Sequence, residues 1–89
     1  MLNYEYTSAF KKDYKRVSKQ GKDIGLLVAV MNDLIDEKPL PPRNKDHALL
    51  GNYIGYRECH IQPDFLLVYK IKNGMIVFSR TGSHSELDL

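Results

Sequence analysis

Several features that would place this protein outside the cytoplasm are missing from its sequence. A single cysteine, Cys59, occurs among 89 residues, so no internal disulfide can form, which suits a reducing cytosol. No apolar run approaches the roughly 20 residues that a membrane-spanning helix needs. The N-terminus has no basic segment followed by an apolar stretch, so no signal peptide is visible. We therefore expect a cytoplasmic protein with no membrane partner.

The sequence also lacks internal repeats, low-complexity tracts and linkers. Apolar residues make up 43% and charged residues 27% of the chain, which is the balance of a globular domain and not of a disordered tail. The one clear break, Leu40 to Asn44, is too short to separate domains and is typical of a loop after a helix. One domain over residues 1–89 is the prediction.

The formal net charge is only +2, but it is unevenly distributed. Six basic residues and one acid, Asp13, lie between Lys11 and Lys22, whereas the segment from residue 51 to 89 is balanced. A local basic patch matters more to a polyanionic partner than the total charge does. Such a patch is usually only solvated, but this bias supports a nucleic-acid hypothesis in which three lysines contact RNA: Lys11, Lys15 and Lys19.

The first half of the chain has helical spacing after one short strand. Residues 2–6 alternate as a strand does, and Ser8 can cap a helix that ends near Gln20. Phe10, Tyr14 and Val17 form its buried stripe, with the basic residues, Arg16 included, on the opposite side. Asp23 can cap a second helix that runs to about Glu37, before Pro39.

The second half has the two-residue period of strands. We predict strands over 53–60, 65–72 and 75–81, the last two joined by a tight turn at Asn73-Gly74, followed by a short polar tail from Gly82. Cys59 is interpreted as a small core residue. The order of elements predicts an α+β fold: a strand, two helices, then an antiparallel meander sheet with the helices on one face.

This topology brings reactive side chains to one edge of the sheet. His60 and Asp64 flank a turn, the hairpin returns Arg80 toward it, and His84 follows four residues later. A two-residue turn places Arg80 opposite Leu67. Histidine can act as acid or base near neutral pH, and arginine offers a planar fork to phosphate oxygens. The set suits cleavage of RNA through its 2′-hydroxyl.

Each of these residues also has a structural explanation. His60 could bond backbone at a strand end, Asp64 could close its turn, and Arg80 could pair with Asp64 as a structural ion pair. His84 alone would be an ordinary solvated histidine. Zinc is disfavoured because the three histidines lack close paired spacing in sequence. Phe65 and Tyr56 are candidates for stacking on bases, or else core residues.

Four segments of the second half form a linked pattern. They are the runs Lys45-Asp46-His47-Ala48-Leu49-Leu50-Gly51, Gly55-Tyr56-Arg57-Glu58-Cys59-His60-Ile61-Gln62-Pro63-Asp64, Leu66-Leu67-Val68-Tyr69 and Arg80-Thr81-Gly82-Ser83-His84. Together they resemble the YafQ branch of the RelE toxin superfamily. The resemblance implies a RelE-like fold and a type II toxin that cleaves messenger RNA on the ribosome without a metal or other cofactor. It also implies a cognate antitoxin of the DinJ or RelB kind, with operator DNA bound only through the complex with that antitoxin.

The resemblance carries the family's active-site positions onto five residues: His47, His60, Asp64, Arg80 and His84. Phe65 stands where relatives often have tryptophan, and Asp88 where they carry an aromatic residue, so the tail departs from the pattern. Two other classes stay open. A ParE-like toxin that inhibits gyrase would need no acid–base groups, and a basic nucleic-acid-binding module would depend on its first helix and not on His84.

Overall fold

The computed structural model describes all 89 residues as two layers, helices against a five-stranded sheet. The strands lie in the order β1-β5-β4-β3-β2; β1 is parallel to β5 and the other pairs are antiparallel. The predicted α+β fold is confirmed, with a mixed sheet. None of the helices could span a membrane. In chain order the elements are β1 Asn3–Tyr6, α1 Ser8–Lys19, α2 Ile24–Ile35, β2 His47–Ala48, β3 Arg57–Gln62, β4 Phe65–Lys72, β5 Met75–Gly82 and α3 His84–Leu87.

The two long helices begin at side chains that accept hydrogen bonds from the first turn. Thr7, and not Ser8 as predicted, caps α1 by accepting from the backbone N–H of Phe10 at 3.0 Å. Asp23 caps α2 as predicted. α2 ends at Ile35, earlier than the predicted Glu37, because Glu37 has a left-handed φ of 58° that no helix continues.

One face of the sheet packs against α1 and α2 through the main core of 14 buried residues. Phe10 and Val17 lie in it as predicted, and Tyr14 is half-buried against it. Cys59 is fully buried, and burial raises the pKa of its thiol to about 12. The interpretation of Cys59 as a core residue is confirmed, because a thiol so protonated is a poor nucleophile.

The opposite face carries a second, much smaller core of Leu66, Val68 and Leu87. The tail is therefore not simply polar as predicted: it forms α3, and its Leu87 is 1% exposed. The predicted strand start at Tyr53 is also wrong. Residues 51–53 form a short 3-10 turn, and the Tyr53 hydroxyl donates to the Leu87 carbonyl at 3.2 Å, so this loop helps to cover the second core.

The hairpin between β4 and β5 turns at Asn73-Gly74 as predicted, with Lys72 opposite Met75. Both turn residues have positive φ, as this kind of tight turn requires. Further along, the register shifts between Val68 and Tyr69, so Arg80 pairs with Val68 and not with the predicted Leu67. The extra residue of this bulge moves Arg80 onto the face of Val68.

Candidate active site

The second face of the sheet carries a row of paired residues across four strands, with polar side chains on β2, β3 and β5. His47 on β2 pairs with Glu58 on β3, Glu58 pairs with Val68 on β4, and Val68 pairs with Arg80 on β5. Paired residues on neighbouring strands share a face. His60 lies two residues beyond Glu58, so it shares that face as well.

Glu58 is the carboxylate between two of the histidines. Its Oε1 lies 3.3 Å from His60 Nε2 and 3.7 Å from His47 Nε2. The Glu58 side chain is only 6% exposed and that of His60 16%, whereas that of His47 is 49% exposed. His47 Nδ1 donates to the Lys45 carbonyl at 2.6 Å, which turns its other nitrogen toward Glu58. A carboxylate so buried needs such partners.

His84 and Asp64 are joined by two hydrogen bonds. His84 begins α3, and Asp64 follows Pro63 in the turn between β3 and β4. Asp64 Oδ1 accepts from the His84 ring Nδ1 at 2.6 Å and from the His84 backbone N–H at 2.9 Å. These two bonds hold the pKa of the Asp64 carboxyl below its ordinary value. Asp64 therefore stays ionised and fixes the orientation of the imidazole.

The rings of His60 and His84 meet edge to face, with their centroids 5.5 Å apart. Glu58 lies beside the ring of His60, and Asp64 lies beside the ring of His84. Two adjacent imidazoles, one hydrogen-bonded to Asp64 and the other 3.3 Å from Glu58, can divide the work of removing one proton and delivering another. The predicted convergence of His60, Asp64 and His84 is thus present.

Arg80 has no hydrogen bond to His60, Asp64 or His84 and is held from another direction. Its Nε donates to Asp13 Oδ2 at 2.6 Å and its Nη2 to Asp13 Oδ1 at 3.2 Å. The alternative pairing of Arg80 with Asp64 is wrong, because Asp64 is engaged by His84. The Asp13 bonds raise the pKa of the Arg80 guanidinium further. The side chain remains 31% exposed, so a phosphate could still reach it.

The first helix is less uniformly basic on its outer side than the sequence predicted. Lys11, Lys15 and Lys19 are exposed. Arg16 instead turns inward, where it donates to Asp13 Oδ1 at 2.8 Å and to the Thr81 carbonyl at 3.0 Å. A polar contact with the sheet replaced the predicted solvent contact because α1 packs closely against β5.

Phe65 and Tyr56, the predicted stacking residues, are already engaged inside the protein. Phe65 is 1% exposed in the main core, which leaves no ring face for a base. Phe65 is therefore a core residue, the alternative to stacking that the sequence left open. Tyr56 is half-buried. Its ring meets Tyr53 edge to face, and the Lys70 ammonium lies 5.1 Å from its centroid. Only its remaining exposed surface is open to RNA.

Three of the clustered side chains could also hold a metal ion. The ligand atoms of Glu58, His60 and His84 all lie within 4.8 Å of one another, a donor set that suits zinc or copper. Wide spacing in the sequence disfavoured such a site, but the strand pairing and α3 bring these residues together. The cluster can therefore either transfer protons or bind a cation.

Sequence reasoning overlooked Glu58 and Asp13, although a signal existed for both. Glu58 alternates in phase with His60 along β3, so it had to share that histidine's face. Asp13 falls three residues after Phe10 and four before Val17, which places it on the buried side of α1. The basic residues around Asp13 hid this signal.

The fold, a mixed five-stranded sheet with α1 and α2 on one face, is that of the class of RelE-like toxins, and the histidine–carboxylate cluster lies on the other face. The chain belongs to the YafQ family of that class. Residues 2–89 match the family described as a bacterial toxin of a type II toxin–antitoxin system, YafQ. The family resemblance seen in the sequence is thereby confirmed.

Relatives of known structure cover nearly the whole chain. The mRNA interferase toxin YafQ of Escherichia coli is 42% identical over 84 residues, which are 93% of this chain and 91% of that protein. The E. coli DinJ–YafQ complex matches with a TM-score of 0.91 and 40% identity over 98% of both chains. A metal-bound toxin from Helicobacter pylori matches with a TM-score of 0.90 and 47% identity, over 98% of this chain and 99% of that one.

Proposed function

We propose that this chain is an endoribonuclease that cleaves messenger RNA on the ribosome, attacking through the RNA's own 2′-hydroxyl. The observation that carries the proposal is the His84 ring, fixed by Asp64 and placed edge to face with His60. An inhibitor that only binds its target would have no use for two adjacent imidazoles that each lie beside a carboxylate. The name mRNA interferase, borne by the E. coli relative, agrees with this chemistry.

The reaction needs a base for the 2′-hydroxyl and an acid for the 5′-oxygen of one phosphate. The base takes the proton of the 2′-hydroxyl, the 2′-oxygen bonds to phosphorus, and the bond to the 5′-oxygen breaks as the acid protonates that oxygen. The products are a 2′,3′-cyclic phosphate and a 5′-hydroxyl. His60 and His84 supply these two functions between them. Asp64 holds His84 Nδ1–H, which leaves Nε2 for the substrate.

Arg80 and His47 bind the charged phosphate in this proposal. Arg80 donates Nε–H and one Nη2–H to Asp13, so the two N–H groups of Nη1 and the second one of Nη2 are left for phosphate oxygens. His47 lies at the open end of the row, next to Glu58. Tyr56 borders the RNA with its exposed surface, and the lysines of α1 contact ribosomal or messenger RNA: Lys11, Lys15 and Lys19.

The proposed chemistry requires no metal. The nucleophile belongs to the RNA, so no metal-bound water has to be activated. A cation on Glu58, His60 and His84 would occupy the ring nitrogens that proton transfer needs. Cleavage should therefore survive EDTA once the magnesium that ribosomes require is restored separately, and rescue by added zinc would contradict a metal-free mechanism.

The partners follow from the same proposal. A cognate antitoxin neutralises the toxin, by analogy with the relative solved in the DinJ–YafQ complex. Operator DNA is bound only by that toxin–antitoxin complex. The ribosome and its messenger RNA are the target, and they place the activity in the cytoplasm.

The deciding experiment replaces His84 and follows cleavage on programmed ribosomes. His84→Ala should lower the single-turnover cleavage rate by about 10² or more, since general acid–base groups contribute 10²–10⁴-fold. Its melting temperature should stay close to the parent's, because His84 is 41% exposed. Ser85→Ala, one residue further along the same helix, is the matched control.

A folded His84→Ala protein that cleaves normally would refute the assignment. Toxicity without any RNA cleavage would instead favour a gyrase inhibitor.

A further inference from the structure

Asp13 is a buried carboxylate in the middle of a basic helix, and the chemistry proposed above makes no use of it. It is 3% exposed. Its two oxygens accept four hydrogen bonds: two from Arg80, one from Arg16 at 2.8 Å and one from the Thr81 backbone N–H at 3.1 Å. Three of these four come from β5, so Asp13 ties α1 to the strand that carries Arg80.

Stability alone gives a weak reason for such a group. Burying a carboxylate carries a large desolvation penalty, and replacing a buried ion pair with apolar residues is often neutral or stabilising. What the pair does provide is geometry. Asp13 grips Nε and Nη2 with separate oxygens, which fixes the plane of the guanidinium.

Arg80 also needs that restraint for a local reason. It follows the bulge at Ser79, where the ladder with β4 is interrupted, and its side chain is 31% exposed. A bulge redirects the side chain beside it, and a long side chain at the surface samples many rotamers. The bonds from Asp13 select one of them.

We propose that Asp13 is a positioning residue for RNA cleavage, which holds the Arg80 guanidinium so that its free N–H groups, on Nη1 and Nη2, meet the phosphate in the transition state. This inference rests on the proposed function, because it requires that Arg80 act on the scissile phosphate. Asp13 itself does not touch RNA. Its effect should therefore exist only while Arg80 is present.

A double-mutant cycle in single-turnover cleavage on ribosomes tests the inference. Asp13→Asn keeps the shape of the side chain and removes its charge. It should lower the maximal rate about tenfold to a hundredfold, the scale expected when a reacting group is misplaced, with little change in the RNA concentration for half-saturation. In protein that already carries Arg80→Gln, the same change should cost less than about twofold, within the error of additivity. Glu5→Gln, the same kind of change on exposed β1, is the matched control and should leave the rate unchanged.

The same measurements distinguish a failure of the positioning role of Asp13 from a failure of the proposed function of Arg80. If Arg80→Gln cleaves normally, the assigned role of Arg80 fails, and that of Asp13 with it. If Arg80→Gln is impaired but Asp13→Asn is normal, or is equally harmful with and without Arg80, only the positioning role fails. Should Asp13→Asn not fold, Arg16→Gln removes one bond to Asp13 and leaves both bonds from Arg80. A loss of rate with Arg16→Gln that disappears in the Arg80→Gln protein supports the inference, and an equal loss in both overturns it.

Discussion

The two faces of the sheet are built on different principles. The face beneath α1 and α2 holds a core of 14 buried apolar residues. Two of them, Phe10 and Phe78, contact each other and the exposed ring of Tyr6 at the edge of that core. The other face has a core of only three residues, and beside it stand the histidines, carboxylates and Arg80. There, hydrogen bonds and ion pairs replace apolar contact.

The difference shows how a chain of 89 residues can be both stable and reactive. A domain this small has room for one sizeable core, so the helix face supplies most of the stability. The other face is then free to carry polar groups that stability alone would not favour. Its short helix α3 and the loop over residues 51–53 cover just enough of the sheet to hold His84 in place.

We expect the largest effect on stability from a substitution in the core on the helix face of the sheet. Phe78 is fully buried and touches the rings of Tyr6 and Phe10. Phe78→Ala should lower the free energy of unfolding by about 3–5 kcal/mol, measured by urea denaturation. The cleavage rate per folded molecule should be nearly unchanged. Ile71→Ala, at a half-exposed position on the neighbouring strand, is the control and should cost far less. A rate that falls with full stability retained would show that the two faces are not separate in function.

An intermediate effect is expected on the second face and depends on pH. Glu86 accepts from the Ser83 backbone N–H and from Gln20, and these bonds lower the pKa of its carboxyl to about 2 from 4.5. A depressed folded-state pKa gives stability that is present above the unfolded value and is lost as pH falls toward the folded one. Glu86→Gln should therefore flatten the loss of stability between about pH 4.5 and about pH 2.

Thermal melts of both proteins across that pH range measure this contribution. The fall in melting temperature should be smaller for Glu86→Gln than for the parent. Identical curves would mean that the Glu86 bonds, which close the capping box of α3, add nothing to the second face.

The smallest effect is expected from the outer surface of α1, which serves neither core. Replacing Lys11, Lys15 and Lys19 with glutamine should leave stability nearly unchanged and weaken ribosome binding. The log–log dependence of affinity on salt should flatten by roughly one unit for each phosphate that the protein no longer neutralises. Binding measured over a salt series tests this, with Lys72→Gln at the exposed end of β4 as the control. An unaltered slope would mean that the lysines are merely solvated.

Periodicity was enough to predict most of the framework. Apolar residues at helical and at alternating spacing located α1, α2 and the meander, and Asn73-Gly74 located the hairpin, because these signals are local. Residues 53–56 were misplaced in a strand, since apolar side chains that cover a small core from a loop resemble those of a strand. The tail looked polar because its one buried apolar residue, Leu87, gives no repeating pattern.

The sequence by itself determined the chemical inventory of this protein: its histidines, its lone buried cysteine, the linked family motifs and the helix-covered core. Only the tertiary structure decided which partner each charged group has. Asp64 pairs with His84, Arg80 with Asp13, and Glu58 lies between two histidines. The Asp64–His84 and Arg80–Asp13 contacts join residues 20 and 67 positions apart. The Arg80 contact depends on a single-residue bulge and on how α1 packs against β5, and no local pattern of side chains encodes such offsets.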